Sequence, residues 1–220
     1  MKKIMITMLL LSLASVAHSE PSSLVAYDRE TRAIIRAGDI ENGRQLASED
    51  GEDCQDCHSM NGESLDPEDP NIGGLSATYI YKQLQDYKSK KRDERGMYRA
   101  VRKLSDQELS DLSAYYASQP IAARANPDAE PPVLVNKGDS KRMIRACNSC
   151  HGQNGEGGMY DMPALVGQRK GYFILALEEF KEEDRTNDIY WRMRDVSKQL
   201  TEEEIEALAE YYSSADPVVE

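Results

Sequence analysis

The sequence predicts an all-α protein made of two similar helical domains in tandem. Three observations predict it. The two halves of the chain repeat one another in register. Apolar residues recur at helical spacing in each half, and no stretch sustains the alternation of a strand. The register is anchored by two copies of Cys-x-x-Cys-His standing 93 residues apart, Cys54-Gln55-Asp56-Cys57-His58 and Cys147-Asn148-Ser149-Cys150-His151.

The chain opens like a secretory signal. Lys2 and Lys3 precede an apolar run from Ile4 to Leu13, and small residues follow at Ser15, Ala17 and Ser19. Cleavage after Ala17 or after Ser19 satisfies the small-residue pattern. The run is shorter than the roughly 20 residues that span a bilayer, and no other stretch is longer and as apolar. Residues 1–19 are therefore expected to be a signal, and the mature chain to be periplasmic. A retained segment would act as a loose membrane anchor. Without Lys2 and Lys3 the chain carries 25 basic against 39 acidic residues, a formal net charge of −14. Such a protein is excluded from nucleic-acid binding and is expected to meet a partner with a basic face.

The first domain is expected over 20–118. Gly38-Asp39 opens a short helix, and seven mostly acidic residues, Ala47 to Asp53, precede the first motif. Twelve residues after His58 comes Pro70, followed by Gly74, Tyr79, Leu84, Tyr87-Lys88 and Arg92. Met97 stands seven residues before Leu104, where Ser105 and Glu108 make a capping box. Leu109, Leu112 and Tyr116 then recur at helical spacing up to Tyr115-Tyr116. Residues 119–137 hold Pro120, Pro127, Pro131 and Pro132 and no sustained period, as a semi-rigid linker would.

The second domain, 138–220, repeats these features. Gly138-Asp139 predicts a matching short helix. Pro163 follows His151 by twelve residues, and Gly167, Tyr172, Leu177, Phe180-Lys181 and Arg185 repeat the earlier offsets. Met193 stands seven residues before Leu200. Thr201 with Glu204 makes the second capping box, and Ile205, Leu208 and Tyr212 close the helix at Tyr211-Tyr212.

Cys-x-x-Cys-His is a c-type haem attachment pattern. Cys54, Cys57, Cys147 and Cys150 would form thioether bonds, and His58 and His151 would be the proximal iron ligands. A four-thiolate zinc site leaves the adjacent His idle twice, and a disulfide leaves its placement unexplained. A thioredoxin-like pair needs a βαβ setting that is missing. The expected cofactor is thus two haem c groups. The chain has three histidines in all, and the remaining one, His18, falls in or beside the signal. Bis-His ligation is therefore excluded, and Met is the next candidate for the sixth position. Met97 and Met193 hold equivalent places before the last helix of each half. Met60, Met159 and Met162 follow the proximal His too closely to reach the opposite face, and Met143 precedes its motif. Pro70 and Pro163 are placed for their carbonyls to accept the Nδ1–H of each haem His, a contact that orients the ring and tunes its basicity.

Taken together, the two motifs, Pro163-x-x-x-Gly167-Gln168, Tyr172, Arg185-Thr186-Asn187-Asp188, Met193 and the Leu-Thr-x-x-Glu helix resemble the dihaem cytochromes c of the cytochrome c4 type over nearly all of the mature chain. The resemblance implies two class I cytochrome c domains related by a pseudo-twofold axis, with haem propionates facing across the interface. It also implies a periplasmic shuttle between redox proteins. A quinol-oxidising complex or a dehydrogenase would be the donor and a terminal oxidase the acceptor. Ser59 in place of the Gly after His, Leu75 opposite Gln168, and the acidic segment depart from that pattern. The expected role is an electron carrier with no small-molecule substrate and no catalytic residue. A dihaem peroxidase needs a releasable ligand and a spare His, and a cysteine-ligated thiosulfate-oxidising haem needs a fifth Cys. A dedicated electron-accepting subunit of a dehydrogenase remains open beside the general shuttle.

Overall fold

The computed structural model describes residues 21–48, 54–120 and 130–213. The expected signal, most of the acidic segment and the middle of the expected linker lie outside these residues. Among them the fold is helical, with one isolated bridge, Asp139 to Ile144, as the only β contact.

The first half contains α1 (Arg29–Arg36), α2 (Ile40–Ala47), α3 (Cys54–His58), α4 (Ala77–Lys88), α5 (Arg95–Val101) and α6 (Asp106–Ala117). Most start on a side chain that satisfies the free N–H groups of the first turn. Asp28, Asp39, Ser76 and Glu94 cap α1, α2, α4 and α5. The capping box of α6 forms as expected. Glu108 N–H donates to Ser105 Oγ at 3.2 Å, and Ser105 N–H donates to the Glu108 carboxylate at 2.7 Å. Helix α6 is the hub, packing on α1, α2 and α4. Its crossing with α2 is close. A Cβ on Gly43 would lie 2.1 Å from the Asp111 carbonyl oxygen, so only glycine fits there. Ala47, expected at the start of the acidic segment, is instead the fully buried last residue of α2.

The second half contains α7 (Val133–Asn136), α8 (Asn148–His151), α9 (Lys170–Glu182), α10 (Arg192–Ser197) and α11 (Glu202–Ser213). Helix α7 falls inside the segment 119–137 and buries Leu134 and Val135 against Phe173, Leu177, Ile205 and Tyr212. The second capping box also forms, with Glu204 N–H donating to Thr201 Oγ1 at 3.2 Å and Thr201 N–H to Glu204 at 3.0 Å. The helix expected from Gly138-Asp139 does not form. Asp139 accepts from Lys141 and Arg142 N–H as an N-cap would. The chain then reverses at Met143 (φ 58) and closes on itself through the Asp139–Ile144 bridge. A cap signal alone does not propagate a helix without a face to bury.

The two halves meet through reciprocal hydrogen bonds. Asn71 N–H donates to Gln168 Oε1 at 2.7 Å, Gln168 Nε2 returns a bond to the Asn71 carbonyl at 3.0 Å, and Asn71 Nδ2 donates to the Gly167 carbonyl at 2.7 Å. Tyr172 N–H donates to the Pro67 carbonyl at 3.0 Å. Gln168, with Leu75 at its counterpart position, is therefore a pin between the halves, which accounts for that departure from the repeat. The departure at Ser59 has a backbone reason. Gly152 lies at φ 86, ψ 156, a region open only to glycine, whereas Ser59 takes the ordinary left-handed form at φ 52.

Candidate haem-binding site

Each Cys-x-x-Cys-His sits on one short helical turn, which puts its His on the inner face. His58 and His151 are buried, at 7% and 8% exposure. Their Nδ1–H groups donate to the Pro70 and Pro163 carbonyls at 3.0 and 2.8 Å, the contacts expected from the repeat. A carbonyl only accepts, so Nδ1 carries the proton and Nε2 keeps a free lone pair. Burial holds both imidazoles below their ordinary pKa, in the neutral form that binds metal.

Both histidines open onto one cavity of about 850 Å³ that runs through both halves. Cys54 and Cys57 lie on its wall. Cys147 and Cys150 are not on that wall; Cys147 packs against the second core, where burial pushes its thiol up to about 11. Met97 and Met193 are on the cavity wall too, and among the described residues no other methionine is. Met60 packs into the first core, while Met143 and Met159 are 87% and 73% exposed.

The polar part of the wall was only half legible in the sequence. Tyr79 with Tyr172 and Arg92 with Arg185 were visible as matched offsets without a role. In the structure each arginine crosses to the other half's tyrosine. Arg92 donates to Tyr172 OH at 3.1 Å and Arg185 donates to Tyr79 OH at 3.2 Å. Gln83 Oε1 accepts from both guanidiniums, at 2.9 and 3.1 Å. Arg92 lies over the Tyr87 ring and Arg185 over the Phe180 ring. Burial works to raise the Tyr172 phenol, but the two guanidiniums outweigh it and hold its pKa at about 8.

Beside this crossing lies a buried ion cluster that nothing in the repeat announced. Lys82 Nζ donates to Asp86 at 2.7 Å and to the Asn187 carbonyl at 2.6 Å, and stands 3.4 Å from Asp161. Lys82 and Asp86 are fully buried. Burial raises the Asp161 carboxyl even against the Lys82 charge. The counterpart of Lys82 in the second half is Leu175, so the lysine has no repeat equivalent, and its cluster joins the two halves only on this side.

Arg92 and Arg185 pair with no carboxylate among the described residues, although both are buried and face the cavity. Buried cations without an anion are costly. A large, mostly apolar group bearing its own carboxylates fits this wall, and so do the thiol pair and the free imidazole Nε2. Haem satisfies all three demands.

Known proteins agree with this geometry. A family model described as Cytochrome c matches residues 40–119 and again 139–216. A cytochrome c4 of Thiocapsa roseopersicina is 35% identical over 193 residues, covering 84% of this chain and 96% of its own. The chain belongs to the dihaem cytochrome c4 family. A solved cytochrome c4 from Pseudomonas stutzeri superposes with a TM-score of 0.71 at 32% identity, covering 81% of this chain and 100% of that one. A protein of Stutzerimonas stutzeri named thiosulfate dehydrogenase electron acceptor is 29% identical over 168 residues, 73% of this chain and 78% of its own. This cytochrome c4-type chain is accordingly a two-haem electron carrier and not an enzyme. Among the described residues no helix is long and apolar enough to cross a membrane.

Proposed function

We propose that this cytochrome carries electrons in the periplasm between a reducing partner and a terminal oxidase, using one Met/His-ligated haem in each half. The reading rests on the cavity wall, where the two oriented histidines meet the only two methionines of the described chain that reach it. When bound, haem c supplies reversible one-electron iron chemistry. The chain's residues do the rest. Cys54, Cys57, Cys147 and Cys150 would hold the groups covalently. His58 and His151 would ligate iron through Nε2, and Met97 and Met193 would supply thioether sulfur, a ligand set that raises the potential. Pro70 and Pro163 fix the imidazoles, and Arg92, Arg185, Tyr79 and Tyr172 exclude water between the halves. The domains are taken as 20–118 and 138–220, with 119–137 as a linker whose helix α7 docks on the second core.

The donor has a specific candidate. The relative named as an electron acceptor of thiosulfate dehydrogenase favours a periplasmic dehydrogenase over a quinol-oxidising complex. Anaerobic mixing of oxidised cytochrome with a thiosulfate dehydrogenase and thiosulfate should give full reduction of both haems, and terminal-oxidase membranes should reoxidise them once oxygen is admitted. Absence of reoxidation would defeat the proposed direction. The mature protein should weigh the polypeptide plus two haems after acid-acetone extraction.

A further inference from the structure

The segment leading to Met193 differs from its counterpart in the first half. Four residues separate Arg92 from Met97, but seven separate Arg185 from Met193. The additional length forms a tight loop, Asp188 to Arg192, held at both ends. The Asp188 carboxylate accepts from Met193 and Arg194 N–H at 3.0 and 3.1 Å and from Arg194 Nε at 2.6 Å. The Asp188 carbonyl accepts from Ser22 Oγ at 2.8 Å, and Ile189 N–H donates to Asp161 at 3.1 Å. Between these ties Tyr190 and Trp191 stand consecutively in the left-handed region, at φ 57 and φ 60. Large aromatic residues rarely adopt that backbone, and such outliers gather where the fold enforces them for function.

The strain does not serve packing. Tyr190 is 79% and Trp191 55% exposed. Arg192 and Arg194 stack on the two rings and hold them in place, with centroid distances of 5.4 and 4.9 Å. Leu24, two residues from the Ser22 tie, and Met159, two residues from the Asp161 tie, are also exposed. The loop thus presents an exposed aromatic patch, Tyr190 and Trp191, within a pre-ordered Tyr-Trp-Arg run, three residue types enriched at interface hot spots. Glu182, Glu183, Asp184 and Asp195 are exposed on the flanking segments, in a chain of strongly negative net charge.

We propose that Tyr190 and Trp191 form the docking site for the electron-accepting protein, whose contact face has an apolar centre and a basic rim. Docking here brings that partner against the loop that ends in Met193, and so to the second haem rather than the first, where Glu94-Arg95 occupies the equivalent place. The inference deepens the proposed function, since it presumes an oxidising partner.

Trp191 is the only tryptophan of the chain, which makes it a unique reporter. Reduced holoprotein is mixed with the terminal oxidase purified from the source organism, and in parallel with ferricyanide. Trp191→Ala and the double variant Tyr190→Ala, Trp191→Ala should slow oxidation by the oxidase by about tenfold or more, the scale of a hot-spot aromatic. Trp191→Phe should recover most of the rate, while the ferricyanide rate and both potentials stay at wild-type values. Oxidative footprinting should show Trp191 protected by the oxidase and not by protein-free liposomes. Equal oxidase rates for all variants would overturn the proposal, as would equal slowing with ferricyanide. Protection by liposomes would reassign the patch to a membrane. Protection in the free protein would reassign it to the chain's own N-terminal segment or, if it grows with concentration, to a second copy. If wild-type protein is not oxidised at all, the accepting role itself fails, and the docking site falls with it.

Discussion

The two halves of this cytochrome share a register but not an environment. Both place a His on a proline carbonyl and a Met on the cavity wall. Around that shared frame they diverge. The first half buries Lys82 and Asp86, encloses its core with α2, and caps its methionine helix with Glu94. The second has Leu175 in place of Lys82, a closed turn in place of α2, and a longer aromatic loop before Met193. Duplication thus retained what holds a haem and released what surrounds it. Two sites of the same chemistry can then differ in potential and in partner.

The sharpest way to break the comparison is at the methionines. Met97→Ala and Met193→Ala should each remove half of the weak near-infrared band of Met-to-iron charge transfer in the oxidised protein, and lower one potential. If both variants retain the full band, the wrong methionines have been assigned and the equivalence of the halves fails at its centre.

The ion cluster tests the asymmetry. Lys82→Met leaves Asp86 and Asp161 facing each other without a cation in a buried interface. A loss of about 3–5 kcal/mol of unfolding free energy is expected, as for breaking a buried pair. Leu175→Met, at the equivalent position of the second half, should change stability by less than about 1.5 kcal/mol. Denaturant unfolding of both holoproteins measures the contrast.

The capping boxes test the symmetry at smaller scale. Ser105→Ala and Thr201→Ala should each cost about 1 kcal/mol, and by similar amounts, because both boxes make both bonds. A difference larger than about 1 kcal/mol in thermal or denaturant unfolding would show that α6, the hub of its half, depends on its cap more than α11 does.

The smallest effect is the coupling between the haems. Reduction of one should disfavour reduction of the other by about 1 kcal/mol or less, the Coulomb scale for charges more than about 10 Å apart at an effective dielectric of about 20 or more. The acidic segment Ala47 to Asp53 precedes the first motif in sequence, and negative charge near a haem favours its ferric form, so the first potential is expected to be the lower. Potentiometry on the two methionine variants assigns the steps, and a higher first potential would reverse the order of electron flow.

Much of the site was legible in the residues because its parts lie close together along the chain. Cys-x-x-Cys-His confines its ligands to one helical turn, and the Pro offset of twelve closes a loop whose length is set by the chain. The capping boxes are equally local, since both partners lie within four residues. The placing of Met97 and Met193 on the cavity wall was legible only because the repeat supplied a second copy against which to compare each position. The helix expected at Gly138-Asp139 failed for the opposite reason. Its cap was present, but whether a helix continues depends on a packing surface contributed from elsewhere.

The sequence by itself determined the cofactor, its number and the two-domain plan, because each follows from residue type and spacing along one stretch of chain. Only the tertiary structure decided how the halves join. The crossing of Arg92 and Arg185 onto the opposite tyrosines, the burial of Lys82 against Asp161 and Asn187, and the exposure of Tyr190 and Trp191 all depend on residues roughly 30 to 170 positions apart meeting or failing to meet. No periodicity encodes such meetings, because the energy of a buried charge or an exposed ring is set by the neighbours that folding brings to it.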